Sequence, residues 1–231
     1  MPIILVFDTE TTGLPQTKIL NPVTFHLWPH IVQFSYIIYD TDTHNILKMI
    51  DSIVKMPSGV LISDESIKIH GITNEISQKY GIDLRDVLEY FFEDIKNVDF
   101  VIGHNVQFDL NLVKIELLRL IENNSLENDK IRLYKDLLYQ VTYVTRFRCT
   151  MEETKDYCNI LTKSKKGDMY KKYPSLSELY QKLYNKAPQN LHNSLHDVLV
   201  TLICFVRFNY SVNAVDECVE IKNMLTNLKI V

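Results

Sequence analysis

The sequence IILVFDTETTG at residues 3–13 joins an unbroken apolar run to two acids and a glycine. The apolar run ends at Phe7, and it is typical of a central strand that is buried on both faces. Asp8 and Glu10 are two residues apart on this predicted strand, so both side chains leave the same face. Two carboxylates on one face repel each other unless a cation lies between them. Because Mg²⁺ and Mn²⁺ prefer carboxylate oxygens, the stretch predicts a metal site at the end of the strand. The alternative is an acidic, solvated strand end, which is the commoner explanation of an isolated DxE sequence.

The residues after Glu10 predict a sharp turn beside this site, centred on Gly13. Backbone N–H groups in such a turn, with the hydroxyl of Thr11 nearby, can approach a phosphate or a terminal sugar closely. Leu14 is then expected to be an exposed apolar residue beside the metals, available to a nucleic-acid base.

The rest of the chain predicts one α/β domain, because strand and helix patterns alternate without a linker. Apolar runs predict strands at 31–39, 46–54, 99–102 and 141–149. Helices are predicted at 83–96, 107–122 and 193–208, and the spacing of Ser175 and Glu178 predicts a capping box at a further helix start. Polar loops are predicted at 123–130 and 163–173.

A third acid, Asp109, lies in the sequence GHNVQFD that follows the short strand predicted at 99–102. Asn105 and Asp109 are four residues apart, hence on one helical face if the helix begins that early. Asp109 near a helix N-terminus also has a purely structural explanation in the helix dipole. Phe108 is either a core residue or part of a site.

A fourth acid, Asp197, ends the sequence HNSLHD, which begins at His192. Asn193 or Ser194 is a good N-cap, so His192 is expected in the preceding loop and Asp197 in the first or second turn. Residues five apart on a continuous helix would point about 140° apart. A break before the helix lets both aim at one site. His196 is interpreted as a helix-surface residue.

The order DTETTG, HNVQFD and HNSLHD closely resembles the DEDD exonuclease superfamily, in the branch whose third motif is HxxxxD. That family includes polymerase proofreading subunits, RNase T, oligoribonuclease and three-prime repair exonucleases. The resemblance spans residues 3–208. It implies an RNase H-like α/β fold with a mixed five-stranded sheet and helices on both faces. Ser194 stands where the family often has alanine, a change that is expected to be harmless.

The resemblance also implies a role for each acid. Asp8 would bridge two divalent cations, Mg²⁺ or Mn²⁺. Glu10 and Asp197 would complete the first metal site, Asp109 would support the second, and His192 would be the general base. The implied reaction is two-metal hydrolysis that releases nucleoside 5′-monophosphates from 3′ ends.

The segment IHGIT at 69–73 resembles one that lines the 3′-terminal nucleotide pocket of the family. The predicted substrate-binding residues are Thr11, Gly13, Leu14, Ile69, His70, Asn105 and Phe108. The alternative for IHGIT is a strand-to-helix turn with a partly buried histidine. The basic segment 163–173, which interleaves lysines with tyrosines, is either a strand-guiding groove or a solvated loop.

Composition bounds these predictions. The net charge of −4 is unusual for a chain that attracts phosphate, unless bound cations offset the carboxylates. Four cysteines without a CxxC pair argue against a zinc site and are expected as reduced thiols. No segment is long and apolar enough for a membrane span, so a cytoplasmic location is expected. The many Ile, Asn, Lys and Tyr residues suggest an AT-rich source, a low-GC bacterium or a large DNA virus.

Residues 1–210 are predicted to form the exonuclease domain, and 211–231 a helical extension packed on it. The predicted function is a 3′→5′ exonuclease on single-stranded or mismatched 3′ ends, with DNA favoured. The alternatives are an RNA 3′-trimming enzyme, a proofreading subunit with a DNA polymerase partner, and a binding module without catalysis. Five filled catalytic positions argue against the last.

Overall fold

The computed structural model describes residues 2–123 and 126–230. Met1, Asn124, Ser125 and Val231, which fall within the predicted domain and loop ranges, lie outside the described residues. The strands are β1 (Ile3–Thr11), β2 (Ile31–Asp40), β3 (Asn45–Ile53), β4 (Phe100–Gly103), β5 (Phe147–Cys149), β6 (Leu161–Lys163) and β7 (Met169–Lys171).

Helices lie between and after the strands of the main sheet. They are α1 (Asp64–His70), α2 (Asn74–Tyr80), α3 (Leu84–Asp94), α4 (Val106–Ile121), α5 (Asn128–Tyr139), α6 (Thr150–Glu153), α7 (Lys155–Cys158), α8 (Leu176–Tyr184), α9 (Ser194–Tyr210), α10 (Ala214–Glu217) and α11 (Val219–Asn227). Short 3₁₀ turns occupy Phe25–Leu27 and Ile95–Asn97, and a π turn occupies Gln140–Val144.

The main sheet has five strands in the order β3-β2-β1-β4-β5. β1 pairs antiparallel with β2 and parallel with β4, while β2–β3 is antiparallel and β4–β5 parallel. The predicted mixed five-stranded sheet with helices on both faces is confirmed. β1 lies at its centre, so the acids at the end of this strand are flanked by neighbouring strands and helices.

Alternate residues of β1 enter two different hydrophobic cores. Leu5 and Phe7 pack in the core that contains residues of α3, α4 and α5, whereas Ile4 and Val6 pack in the core with α8 and α9. Asp8 continues the row of Ile4 and Val6 by the two-residue period of a strand. The strand alternation therefore directs this carboxylate toward α9.

Several predicted boundaries are wrong. The loop predicted at 123–130 becomes helix from Asn128, because α5 buries Tyr134 and Leu137 behind a polar start. The strand predicted at 141–149 is reduced to β5, after a π turn. The loop predicted at 163–173 is the antiparallel hairpin β6–β7. The segment at 69–73 is not a strand-to-helix turn, since His70 ends helix α1 and Gly71 caps it with a φ of 76°.

The C-terminal residues fold back onto the core that contains α9. Ile221, Leu225 and Ile230 are fully buried there. The chain after Tyr210 thus adds two short helices to the same hydrophobic core. Within the described ranges, no helix is long and apolar enough to cross a membrane.

Candidate active site

Three elements bring four carboxylates to one edge of the sheet. Asp8 and Glu10 come from β1, Asp109 from the first turn of α4, and Asp197 from the first turn of α9. Carboxylate oxygens of Asp8, Glu10 and Asp197 all lie within 4.8 Å of one another, and the three side chains are partly buried. The structure therefore unites the acids of all three sequence motifs.

Asp109 is fixed by the residue between the two acids of β1. Its Oδ1 accepts hydrogen bonds from the backbone N–H of Thr9 at 3.1 Å and from the Thr9 hydroxyl at 2.7 Å. The side chain is buried, with only 3% of the residue exposed. These two bonds hold one carboxylate oxygen of Asp109 in place.

Burial raises the pKa of all four carboxylates, and neighbouring acids add to the effect on Asp8, Glu10 and Asp109. Burial first, and then the charges of the neighbouring acids, raise the pKa of Asp8 well above its usual range. Burial and the charges of Asp197 and Asp109 raise the pKa of Glu10 to about 8. Burial also raises the pKa of Asp109 to about 7, against the hydrogen bonds from Thr9, and that of Asp197 to about 7. The site is short of positive charge at neutral pH.

A divalent cation fits this donor set. The ligands on offer are carboxylate oxygens, which suit the hard cations Mg²⁺ and Mn²⁺ better than soft metals. Asp8, Glu10 and Asp197 are close enough for one ion to contact all three. A bound cation would supply the charge whose lack raises the pKa of these acids.

His192 lies in the loop before α9 with a φ of 71°, the left-handed region. Its backbone N–H donates to both carboxylate oxygens of Asp197, at 3.2 and 3.4 Å. Asn193 is the N-cap of α9, and its side chain accepts from the N–H of Leu195. The helix therefore starts after His192, as predicted, and the loop places the backbone N–H of His192 against Asp197, five residues later.

Ser194 adds a contact that the sequence did not predict. Its fully buried hydroxyl donates to the backbone carbonyl of Asp8 at 2.6 Å. Its backbone N–H donates to Oε1 of Gln33 at 3.2 Å, and the Gln33 amide donates in turn to Asp51. The start of α9 is thus joined to β1 and β2 by buried hydrogen bonds, whereas an alanine at 194 would lack the first of them.

A cavity of about 660 Å³ opens beside the acids. Six of the seven predicted substrate-binding residues line it: Thr11, Gly13, Leu14, Ile69, His70 and Phe108. Leu14 is 81% exposed and Ile69 57%, so both offer apolar surface to a ligand. Asn105 is absent from the lining; it is an exposed N-cap with a φ of 64° and does not belong to the helical face of Asp109.

His70 both lines the cavity and holds its wall. Its Nδ1 accepts from the N–H of Ile72 at 3.0 Å, so the proton lies on Nε2, which donates to the carbonyl of Thr11 at 3.2 Å. Burial lowers the pKa of this imidazole, against the bond to Thr11. The neutral ring therefore ties the end of α1 to the end of β1.

The turn after β1 also uses its own hydroxyl groups. The Thr11 hydroxyl donates to the carbonyl of Gly13 at 2.7 Å, and the Thr12 hydroxyl accepts from the N–H of His30 at 3.0 Å. Gly13 does not have a positive φ, and the space around its Cα is open. Neither backbone conformation nor crowding by neighbouring atoms therefore requires glycine at position 13.

The model of the RNase T exonuclease family matches residues 5–205. The chain belongs to this exonuclease family. No curated protein matches the sequence significantly. Members of such a family are nucleic-acid hydrolases that generally use divalent metals, and the acidic cluster of this exonuclease is compatible with metal binding.

Solved exonuclease structures share the fold of this chain. Exonuclease I from Methylocaldum szegediense has a TM-score of 0.62 at 17% identity, covering 94% of this chain and 42% of its own. E. coli Exonuclease I in complex with a dA16 oligonucleotide has a TM-score of 0.61 at 15% identity, covering 98% and 43%. A zinc-bound E. coli ExoI–ssDNA complex has a TM-score of 0.61 at 16% identity, covering 98% and 43%. This exonuclease spans less than half the length of these relatives.

One wall of the cavity consists of residues that the sequence did not predict. It is built by Gln16, His26, Leu27, Trp28 and Pro29, with Ser63, Glu65 and Ser66 near α1. Arg119 of α4 holds this wall, since its guanidinium donates to the carbonyls of Phe25, Trp28 and Pro29 at 2.6–3.1 Å. It also pairs with the buried Glu116 at 2.7 Å. No local sequence pattern predicts this wall, because Arg119 lies about ninety positions from the backbone carbonyls that it binds.

The basic hairpin lies next to the second motif of the exonuclease. Nε2 of His104 lies 3.1 Å from the carbonyl of Pro174, which follows β7, and His104 directly precedes Asn105. Lys171 and Lys172 pair with Asp156 and Glu178. The other hairpin lysines are Lys163, Lys165 and Lys166, which are exposed and have no carboxylate partner within the described residues.

Proposed function

We propose that this protein is a metal-dependent 3′→5′ exonuclease that releases nucleoside 5′-monophosphates, with single-stranded DNA as the favoured substrate. The observation that carries the proposal is the cluster of Asp8, Glu10, Asp109 and Asp197 with raised pKa, beside a cavity of about 660 Å³. Perturbed acids next to a cavity of nucleotide size are typical of a catalytic site. The family match supports phosphodiester hydrolysis as the reaction.

Each acid has a place in this proposal. Asp8, Glu10 and Asp197 would hold one Mg²⁺ or Mn²⁺, and Asp8 with Asp109 would hold a second. Such ions, when bound, lower the pKa of a water ligand and stabilise charge on the leaving 3′ oxygen. Thr9 keeps the Asp109 carboxylate oriented through its two hydrogen bonds.

His192 would act as general base. Its loop position and exposure leave the imidazole accessible to solvent and substrate. A neutral imidazole nitrogen can accept the proton of the attacking water. The bond from its backbone N–H to Asp197 keeps the base and the metal ligand at one site.

The cavity would take the 3′-terminal nucleotide. Leu14, Ile69 and Phe108 offer apolar surface, on which a base can stack regardless of its identity. The preceding nucleotides would then pass the hairpin, where Lys163, Lys165 and Lys166 can contact phosphates. The structural neighbours that are in complex with a dA16 oligonucleotide and with ssDNA support a single strand as substrate.

Three apolar side chains of the C-terminal residues pack within this chain. Ile221, Leu225 and Ile230 are already covered by this chain's own core, so these side chains are not free to dock on a polymerase.

The test is hydrolysis of 5′-labelled single-stranded DNA and RNA of one sequence with Mg²⁺ or Mn²⁺. We expect a ladder that shortens from the 3′ end, abolished by chelator, with DNA consumed faster than RNA. Labelled mononucleotide as the first product would mean that degradation starts at the 5′ end, and it would contradict the proposed 3′→5′ direction. Faster RNA consumption would favour the RNA-trimming alternative.

Two variants assign the roles. Asp8→Asn should abolish activity while keeping the side-chain shape. His192→Asn should lower kcat by about 10²–10⁴, the range for a general base. Asparagine is chosen because it tolerates the left-handed backbone of residue 192. Turnover at the wild-type rate in either variant would remove that residue from its proposed role.

A further inference from the structure

The loop between α8 and α9, which carries His192, is tied to the C-terminal part of the chain. The backbone N–H of Gln189 donates to the carbonyl of Ile230 at 2.8 Å. The side-chain amide of Asn190 donates to the carbonyls of Leu228 and Lys229, at 3.3 and 3.1 Å. We call residues 228–230 the C-terminal strap, because they contact the loop two and three positions before His192.

A second tie comes from α9. The carbonyl of Asn190 accepts a hydrogen bond from Nδ1 of His196 at 2.6 Å. A carbonyl can only accept, so Nδ1 of His196 carries a proton. His196 was interpreted from the sequence as a surface residue of the helix, but it is partly buried and holds the loop.

The loop needs such ties because of its backbone. Asn190 and His192 both have left-handed φ values, of 53° and 71°. Asparagine tolerates this region, whereas histidine adopts it less readily and stays there only where the surroundings determine it. His192 is itself exposed, so packing does not hold its side chain.

The strap has a firm anchor. Ile230 is fully buried, in the core that also contains α9 residues such as Val198. The strap and the helix that carries Asp197 therefore belong to one packed unit. Hydrogen bonds from the loop to both of them fix its position relative to the acids.

We propose that the C-terminal strap and His196 are positioning residues for His192. They hold residues 189–192 in the conformation that places the backbone N–H of His192 against Asp197 of the acidic cluster. The inference rests on the proposed function, because it assumes that His192 is the general base. A misplacement of about 1 Å at a catalytic group can lower the rate about 10²-fold.

The Asn190 bonds can be removed without changing the backbone preference. Asn190→Asp keeps the shape and tolerates a left-handed φ, but it places a carboxylate oxygen against the carbonyls of Leu228 and Lys229. Asn190→Gly adopts the same φ freely and removes the donor. The matched control is Asn185→Asp, since Asn185 also has a left-handed φ and its side chain is exposed.

His196 offers a test by conservative rescue. His196→Leu removes the bond to Asn190, whereas His196→Asn can donate from an amide nitrogen close to the position of Nδ1. We expect kcat to fall about tenfold or more in Asn190→Asp and His196→Leu, with KM within about twofold. His196→Asn should recover most of kcat, and Asn185→Asp should behave as wild type.

A double-mutant cycle separates positioning from general damage. In the His192→Asn background, Asn190→Asp and His196→Leu should have no further effect on kcat, because there is no base left to position. Mn²⁺ affinity, measured by calorimetry, should stay unchanged, since the four acids lie on β1, α4 and α9. An unchanged kcat in Asn190→Asp, or an equal loss in the His192→Asn background, overturns the proposal.

A readout independent of turnover distinguishes this proposal from the proposed function. Amide hydrogen exchange at Gln189 and His192 should accelerate in Asn190→Asp and not in Asn185→Asp. If wild-type protein hydrolyses no substrate, the proposed function fails, and this exchange still decides whether the strap holds the loop. Unchanged exchange at both amides overturns the strap itself.

Discussion

Ser194 illustrates how much one hydroxyl group can do at this site. It is fully buried and donates to the backbone carbonyl of Asp8, whose side chain is a proposed metal ligand. We expect Ser194→Ala to lower the free energy of unfolding by about 1 kcal/mol, the usual net value of a lost hydrogen bond. Activity should also fall a few-fold, because the start of α9 and the end of β1 lose a direct connection.

Urea unfolding and kcat measurements check this prediction. Ser211→Ala is a suitable control, since Ser211 is exposed beyond the end of α9. An unfolding midpoint in Ser194→Ala equal to that of wild type would show that the hydroxyl contributes nothing.

The pairing of Asp8 with Glu10 was predictable from residue spacing, whereas Asp109 and Asp197 were added by the family resemblance. Asp8 and Glu10 follow a buried apolar run, and a strand period alone places both on one face. The contacts that hold the acids were not predictable. Thr9 meets Asp109 across 100 positions, and Ser194 meets Asp8 across 186. Such bonds depend on how distant elements pack, which no local pattern encodes.

The β6–β7 hairpin is the element with the most distinctive charge. Residues 161–173 contain five lysines and one aspartate, a net charge of +4 in a chain of net charge −4. We expect the triple exchange of Lys163, Lys165 and Lys166 to glutamate to weaken binding of a long single-stranded oligonucleotide. The salt dependence of log K should flatten by about 2 if three phosphate contacts are lost.

Fluorescence anisotropy at several salt concentrations measures this effect in the Asp8→Asn background, which prevents cleavage. The matched control exchanges the exposed lysines Lys79, Lys135 and Lys222 to glutamate, with the same change in net charge. Equal weakening in both triple variants would mean that only the overall charge matters, and the hairpin would then have no specific role.

The sequence predicted strands and helices correctly where the pattern of apolar residues was long. β1, β2, α4 and α9 all bury a continuous row or face, and their predicted positions are confirmed, as is that of the more exposed β3. The helices α1 and α2 were missed because each is seven residues long and buries one residue, His70 or Ser77. The hairpin strands are three residues each and mostly exposed, so burial gives them no alternating pattern.

For the whole molecule, the acidic cluster links metal, pH and stability. The folded-state pKa values of about 8 for Glu10 and about 7 for Asp109 and Asp197 exceed the ordinary values of 4.5 and 3.8. The folded protein therefore binds more protons than the unfolded chain between about pH 4 and pH 8. Metal-free protein should lose stability as pH rises through this window.

Thermal unfolding with chelator at pH 5, 6, 7 and 8 measures the trend. Mg²⁺ should raise Tm more at pH 8 than at pH 5, because it binds the ionised acids of the folded state. An Asp8→Asn/Asp197→Asn variant should show a flatter pH dependence without metal and a smaller response to Mg²⁺. A metal-free Tm that rises from pH 5 to pH 8 would contradict the proposed charge balance.

The left-handed backbone at residue 192 has a consequence for mutational tolerance. Every substitution there removes the imidazole, so all variants should be similarly poor in hydrolysis. Folding yields should nevertheless differ, because glycine and asparagine adopt a φ of 71° easily whereas valine and isoleucine do not. In a saturation library at this position, the amount of folded protein should therefore vary with how easily each residue adopts a positive φ, while hydrolytic activity stays uniformly low. The two readouts separate the effect of residue 192 on folding from its effect on catalysis.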